Sequence, residues 1–576
     1  MLSIIQAESN GKRFFKGEMH MESTKKGLFS SPRLDSRIHS ANVTGSERWL
    51  GFFIGPAGVI LLNSVLASYL NVFYTDVLKI GYLWGGLFLT VFPIVSKVID
   101  ALTNIVMGQI IEKTHTRQGK ARPWMLLSAP IVALSAILAF LVPKASTTVQ
   151  VIWIIVSFNL YYSVGYTMYY MSHSLMVPLS TRNNKQRDGL AMLNNMAMCI
   201  IPGMFTAMLL PMLILPAIGV DQAKWIKMIV ILSILALPCV AVEYFFTKER
   251  ITEEGRELEA RADHSLKEQM KACLSSKYWI IMMVTLILIQ LCTNLQNTSL
   301  IYYCNWVLGT YSDGHTQTIV SAIGNAPLGF GILIMWPLVK KFDKRRVMLA
   351  GLLIAILAGF TFMLKPTDMG WVLIMLAVRA FGALPITYIT MAMLADALDH
   401  VEWKAGFRAD GFSMSVYTII FTLCAGLAQG VFNFGLSATG YVPPAADGSW
   451  VAQSQSVQNF FVWGYQGIFA AVMVVIFVLM WFYRVEDELP TIRRDITARH
   501  RAEAEAMGVE YVSPEELAER EQAENDRIAE ENRIKELKAR CEKKGLRFEE
   551  EEAKYQAKLA AAKAKAEAKA AKKAKK

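Results

Sequence analysis

Apolar stretches of bilayer-crossing length constrain this chain more than anything else in it. They fall near 50–74, 81–111, 124–142, 149–177, 188–216 and 225–246, and again near 278–308, 318–339, 347–364, 370–395, 411–436 and 458–483. Each approaches or exceeds the ~17–25 residues that a spanning helix needs. The expectation is an all-α membrane protein with twelve transmembrane helices. Six lie in 49–246 and six in 278–484, separated by a charged linker at 247–277. The polar residues 1–48 read as a disordered tail without a cleavable signal. Past Arg484 the composition turns charged, and 485–576 reads as a helical, Lys/Ala-rich tail. Within it Ser513-Pro514-Glu515-Glu516 is a capping box with proline at the first helical position, opening a helix to about Lys544.

A net charge of +11 does not indicate nucleic acid, because the cations sit in short loops and in the tail. The loops after runs two, four and eight hold Lys113, Arg117, Lys120, Arg122, Arg182, Lys185, Arg187, Lys340, Lys341, Lys344, Arg345 and Arg346; the short loops opposite hold only Lys79, Lys144, Lys224 and Lys365. The positive-inside rule then places both termini and the linker in the cytoplasm, with the chain in the cytoplasmic membrane. The basic end after Ala560 could meet anionic headgroups at ~1 kcal/mol per residue, though a solvated tail, open to a cytoplasmic protein partner, fits its composition better. Seven cysteines show no metal spacing. With no nucleophile–base pair or cofactor loop, an enzyme is the least supported class.

Polar residues inside the spans are the functional candidates. Lys97, Asp100 and Asn104 share a face of the second run. Asp100 has two readings, a cation or proton site, or a structural bridge to Lys97. In the fourth run Tyr162, Tyr166, Tyr169, Tyr170 and His173 lie on or near one face, suited to stacking on a sugar-like solute while hydrogen-bonding its hydroxyls. Amides recur at Asn63, Asn71, Asn194, Asn195, Gln290, Asn294, Asn297 and Asn325, as interhelical glue or as the lining of a polar, lightly charged cavity. Helical face selects Tyr166, Tyr170, His173, Asn195 and Asn294 as substrate contacts. At the end of the tenth run Asp396, Asp399, His400, Glu402, Lys404, Arg408 and Asp410 cluster without metal spacing. They read as a cytoplasmic gate facing Arg187 and Arg122, with Arg187, Asp396, Asp399, Glu402 and Arg408 as its members.

Four collinear motifs resemble the glycoside–pentoside–hexuronide:cation symporter family of the major facilitator superfamily, over about 49–485. They are Met393-Leu394-Ala395-Asp396-Ala397-Leu398-Asp399-His400-Val401-Glu402-Trp403-Lys404 with Arg408, the loop from Gly108 to Trp124, Tyr74-Thr75-Asp76-Val77, and Tyr302-Tyr303-Cys304-Asn305-Trp306-Val307-Leu308-Gly309. The resemblance implies two six-helix bundles around a central pathway, with Asp100, Asn104 and Thr167 at the cation site. This chain departs from the family at Asn104, where a second Asp is usual, and at Ile60, Tyr170, Asn195 and Thr422, where charged residues are usual. The function implied is that of a secondary transporter of a sugar or glycoside, working by alternating access and coupled to H⁺ or Na⁺, with no bound cofactor. The competing readings are an uncoupled facilitator, a lysolipid carrier, and a transporter-like receptor signalling through its tail.

Overall fold

The computed structural model describes residues 31–251, 265–309, 314–445, 449, 451–506, 508, 511–557 and 560–561, and among them every regular element is helical. In the first half of the chain α1 (Glu47–Val77), α2 (Leu87–Glu112), α3 (Arg122–Phe140), α4 (Thr147–Ser180), α5 (Asn184–Met204) and α6 (Gln222–Phe245) follow one another. A short α7 (Leu266–Ser275) precedes α8 (Lys277–Leu308), α9 (His315–Phe342), α10 (Lys344–Phe362), α11 (Met369–Ala405), α12 (Asp410–Thr439) and α13 (Gln455–Phe482). The tail adds α14 (Val485–Ala506) and α15 (Pro514–Lys544).

Ten of these helices are long and apolar enough to cross a membrane. The runs expected at 188–216 and 318–339 are helical, as α5 and α9, but stand outside those ten. In α5 the reason is visible: it opens on Asn184, Lys185, Gln186, Arg187 and Asp188, and the short apolar helical piece Met208–Ile218 lies beyond its end. Helix ends follow local chemistry. Asp221, Asp368 and Ser454 accept backbone N–H groups at the starts of α6, α11 and α13. Gly406 and Gly440 close α11 and α12 at φ of 86° and 79°, where a side chain would strain the backbone.

The two halves meet at one end only. There a single apolar core runs from Tyr69, Phe73 and Trp225 of the first half into Tyr302, Phe432 and Phe461 of the second, whereas Met282, Met348, Leu352 and Met393 form a separate core at the other end of the second half. At this end Gln317 of α9 donates to Tyr69 Oη of α1 (3.0 Å), and one seam is α2 against α12, pressed together at Gly426 and Gly430, which lie one turn apart. Hydrogen bonds lock it: Tyr82 Oη donates to the Tyr441 carbonyl (2.6 Å), Asn433 Nδ2 to the Leu89 carbonyl (2.9 Å) and Ser437 Oγ to the Gly85 carbonyl (3.1 Å). Beneath them Asn71 donates to Tyr302 Oη (3.2 Å), and Tyr441 Oη donates to Asp76 (3.0 Å).

The tails are more ordered than their composition suggests. Residues 31–48, expected to be disordered, pack on the end of α6: Ser36 Oγ donates to the Thr247 carbonyl (2.7 Å), and the buried Glu47 pairs with Arg250 (2.7 Å). Residues 1–30, the linker segment 252–264 and the Lys/Ala-rich end from 562 lie outside the described residues. Helix α15 starts at the expected cap, with Ser513 Oγ accepting from the Glu516 amide (3.2 Å). It is docked and not free: Lys185 meets Asp526 at 2.5 Å, Asn183 Nδ2 donates to Asp526 (2.8 Å), Asn42 Nδ2 to the Ala529 carbonyl (2.8 Å) and Ser40 Oγ to Glu536 (2.9 Å). Lys185 and Asn183 belong to the first half and Ser40 and Asn42 to the segment 31–48 packed on it, while α14 rests on the second. The tail therefore crosses the end at which the halves do not touch through a shared core.

Candidate functional site

Asp100 stands in α2 against a wide π-type turn of α4, Leu160–Tyr166. That turn carries one extra residue, and Thr167 Oγ1 fills the widened ladder by donating to the Tyr162 carbonyl (3.0 Å). The bulge turns Ser163 toward α2, where its hydroxyl donates to Asp100 Oδ1. Lys97 Nζ holds the other oxygen at 2.6 Å, with side-chain exposures of 17% for the lysine and 5% for the aspartate. The same ammonium lies over the Tyr162 ring at 4.1 Å, and Asn159 Nδ2 donates to Ser96 Oγ (3.3 Å). A charge at this depth costs about 2.5–3.5 kcal/mol on insertion scales. Here two opposite charges, a hydroxyl and an aromatic face compensate one another, so the Lys97–Asp100 bridge is formed. Asn104, one turn further on, is partly exposed and makes no hydrogen bond with a described residue.

The proposed solute contacts divide. Tyr166 and Tyr170 stack with centroids 5.6 Å apart, Tyr170 is 40% exposed, and it stands within electrostatic reach of Tyr417 on α12 of the other half. Asn195 is exposed, and Asn294 Nδ2 is turned back onto the Gln290 carbonyl at 2.7 Å. His173 does not fit a cavity wall. It is 1% exposed and its Nδ1 lies 2.6 Å from Glu243 of α6, whose other oxygen accepts from Tyr169 Oη at 2.6 Å. These three groups close a polar contact inside the first half, and Glu243, the partner that decides where His173 points, lies outside every motif.

The cluster at the end of α11 also differs from expectation. Arg187 donates to Asn184 (2.7 Å), and Arg122 donates to the Tyr244 carbonyl (2.8 Å), so neither reaches a carboxylate of α11. Asp396 is held by Lys344 (2.5 Å) and Arg493 (3.3 Å), Asp399 by Arg408 (2.6 Å) and Arg493 (3.3 Å), and Glu402 by Arg408 (3.6 Å) and His500 (3.0 Å). Burial works against the Arg408 charge, but Asp410 and Asp399 outweigh it and hold its guanidinium above the ordinary value. The pairing is thus within the second half and its tail. The physical reason is separation: with the halves joined at the opposite end, the basic loops of the first half stay out of reach, and α14 supplies the cations instead.

One residue escaped the sequence reading altogether. Arg379 is the lone charge in the run 370–395, and its Nε and Nη1 are buried without a hydrogen-bond partner among the described residues. The Phe469 face 4.9 Å below it returns about 0.5–2 kcal/mol, less than the ~2.5–3.5 kcal/mol cost of the charge at that depth. A lone arginine in an apolar run was the available signal.

Comparison with known proteins bears on what such an arrangement does. Residues 51–487 match the family described as MFS/sugar transport protein. An isoprimeverose transporter of Lactiplantibacillus pentosus is 26% identical, covering 81% of this chain and 94% of the relative. A putative glycoside/cation symporter of Escherichia coli is 24% identical over 80% and 96%. A putative sulfoquinovose importer of Salmonella typhimurium is 26% identical over 68% and 81%. Among solved structures, a peptide transporter crystallised with sulfate superposes with a TM-score of 0.50 at 12% identity, covering 79% of this chain and 98% of that one; it shares the fold.

Proposed function

The chain belongs to the glycoside–pentoside–hexuronide:cation symporter family, within the MFS/sugar transport proteins, and from that premise we propose that it carries a sugar or glycoside across the cytoplasmic membrane by alternating access. It is a multi-pass membrane protein. In this reading α5 and α9 cross as well, making twelve spans in two bundles of six, with both termini and the linker cytoplasmic. The one-sided closure carries the proposal: the halves are sealed through α2 and α12 and share no core at the basic end, which is the geometry of an inward-facing carrier. Tyr166, Tyr170 and Asn195 supply ring faces and an amide to a polyhydroxylated solute.

Coupling to H⁺ or Na⁺ enters at Asp100, Asn104 and Thr167. Both oxygens of Asp100 are engaged, so an incoming Na⁺ has to displace the Lys97 ammonium, whereas a proton has only to break the bridge. Uptake of a panel of labelled sugars into proteoliposomes, with and without Na⁺ or pH gradients, tests this for wild type and Asp100→Asn. Accumulation driven by one gradient and lost in the variant is expected. Gradient-driven accumulation that survives Asp100→Asn would reduce the carboxylate to a structural partner of Lys97.

A further inference from the structure

We propose that the interior of the second half holds an oxyanion site built on Arg379, which takes the carboxylate or sulfonate of a polyhydroxylated solute. The inference rests on the transport reading and narrows its substrate class. Arg379 stands ten residues inside α11, about 15 Å along the helix at 1.5 Å per residue, far from either mouth. No hydrogen bond or ion pair joins it to a described residue, and Nε and Nη1 are both buried. The titratable groups facing it are Cys292 of α8 and Tyr465 of α13, neither of them a carboxylate. Its one evident partner is the Phe469 ring.

Space is left where the guanidinium could be used. Gly324 of α9 is buried, yet a Cβ built there would find a single heavy atom within 4 Å, Arg379 Nη2 at 4.0 Å. One turn before it on the same face, Ser321 is buried with its Oγ unpartnered. A cation with two buried, unpartnered nitrogens, a hydroxyl with no partner among the described residues and a glycine that leaves the gap unfilled thus come together. Buried polar groups demand partners, and a guanidinium presents a planar fork matched to an oxyanion. A neutral sugar would leave the charge uncompensated; a sugar acid would not.

The test compares glucuronate, galacturonate and sulfoquinovose with neutral glucose, by binding to the purified full chain in nanodiscs and by uptake into proteoliposomes. Wild type is expected to prefer at least one acid, and Arg379→Gln to weaken that acid roughly ten- to hundredfold while moving glucose little. Arg379→Lys should recover part of the affinity. Gly324→Leu, which fills the gap and leaves the arginine in place, should weaken the acid alone, and this keeps the result readable if Arg379→Gln folds poorly. Equal affinity for acids and glucose, an acid preference indifferent to both Arg379→Gln and Gly324→Leu, or inorganic sulfate binding as tightly as the acids would each overturn the site. Glucose uptake without acid preference removes this inference alone, whereas failure of every sugar to move removes the transport reading as well.

Discussion

Gly426→Ala should open the sealed mouth. A Cβ at position 426 would lie 2.6 Å from Lys97 Cγ and 2.7 Å from the Pro93 carbonyl oxygen, and one at 430 would lie 2.9 Å from Ile94 Cδ1. Carbon atoms pack at about 3.5–4.0 Å, so α2 must withdraw by roughly 1 Å. Overpacking of this kind costs ~1–3 kcal/mol. Because α2 and α12 belong to different halves, withdrawal at this seam is, on the alternating-access reading proposed above, also movement toward an outward-open state. If the cost falls only on the sealed state, the open population rises about 5–150-fold. Gly430→Ala acts on the same helix pair, so the two effects should not add. The readout is the labelling rate of Leu89→Cys by a polar maleimide, since Leu89 is 2% exposed beneath Asn433. The rate should rise by the same factor. A lower melting temperature with unchanged labelling would show that the glycines serve packing and not the gate.

Removing one partner of the α2 bridge should be costly: Asp100→Leu leaves the Lys97 ammonium unpaired at depth and should lower stability by ~3–5 kcal/mol, with Lys97→Met/Asp100→Leu recovering most of it in thermal unfolding. Exchange of charge across the tail contact offers a milder test. Asp526→Lys should release α15 from Lys185, measured as faster proteolysis between α14 and α15, and Lys185→Asp/Asp526→Lys should restore protection that fades with added salt. Burial, and after it the Asp410 charge, push the Cys273 thiol up to about 11. The neutral thiol is the form the fold favours, so its contribution is intact below the unfolded value near 9.0 and is lost as pH rises through 11. Maleimide labelling at Cys273 should stay slow at about pH 8 and accelerate across that window.

Spans were legible because lipid imposes one rule on every residue of a long stretch: the second run, 81–111, became Leu87–Glu112 and the eleventh, 411–436, became Asp410–Thr439. The Lys97–Asp100 bridge was legible too, since i and i+3 neighbours on a helix meet whatever surrounds them. Partners on other helices were not. Spacing along α4 put His173 with the tyrosines, but Glu243, seventy residues away, decides where it points. Ser163 was hidden by the π turn, because a face counted at 3.6 residues per turn slips once an extra residue enters. That Arg187 stands away from the α11 carboxylates was hidden for a different reason. On the alternating-access reading proposed above, ion pairs between halves exist in one state of the carrier, and a sequence does not say which state is populated.

That last point gives the tail its weight. Helix α14 is fastened to Asp396, Asp399 and Glu402 of the second half, and α15 to Asn183 and Lys185 of the first and to Asn42 of the segment packed on it. Only residues 507–513 join them, a length that spans at most about 25 Å when extended. While both helices stay docked, the basic end of the molecule can open no further than this tether permits. Arg493 and His500 meanwhile occupy the carboxylates that the first half's cations would need in order to close it. Exposed pairs are individually worth only ~0–1 kcal/mol, so the tether should yield as a set. Truncation after Arg484 would remove Arg493 and His500, leaving Asp396 with Lys344 and Asp399 and Glu402 with Arg408 but each open to a further cation such as Arg187, and transport rate together with the spin-label distance between 187 and 399 would report it. A shorter and narrower distance distribution is expected; an unchanged one would show that the tail rides on the carrier without restraining it.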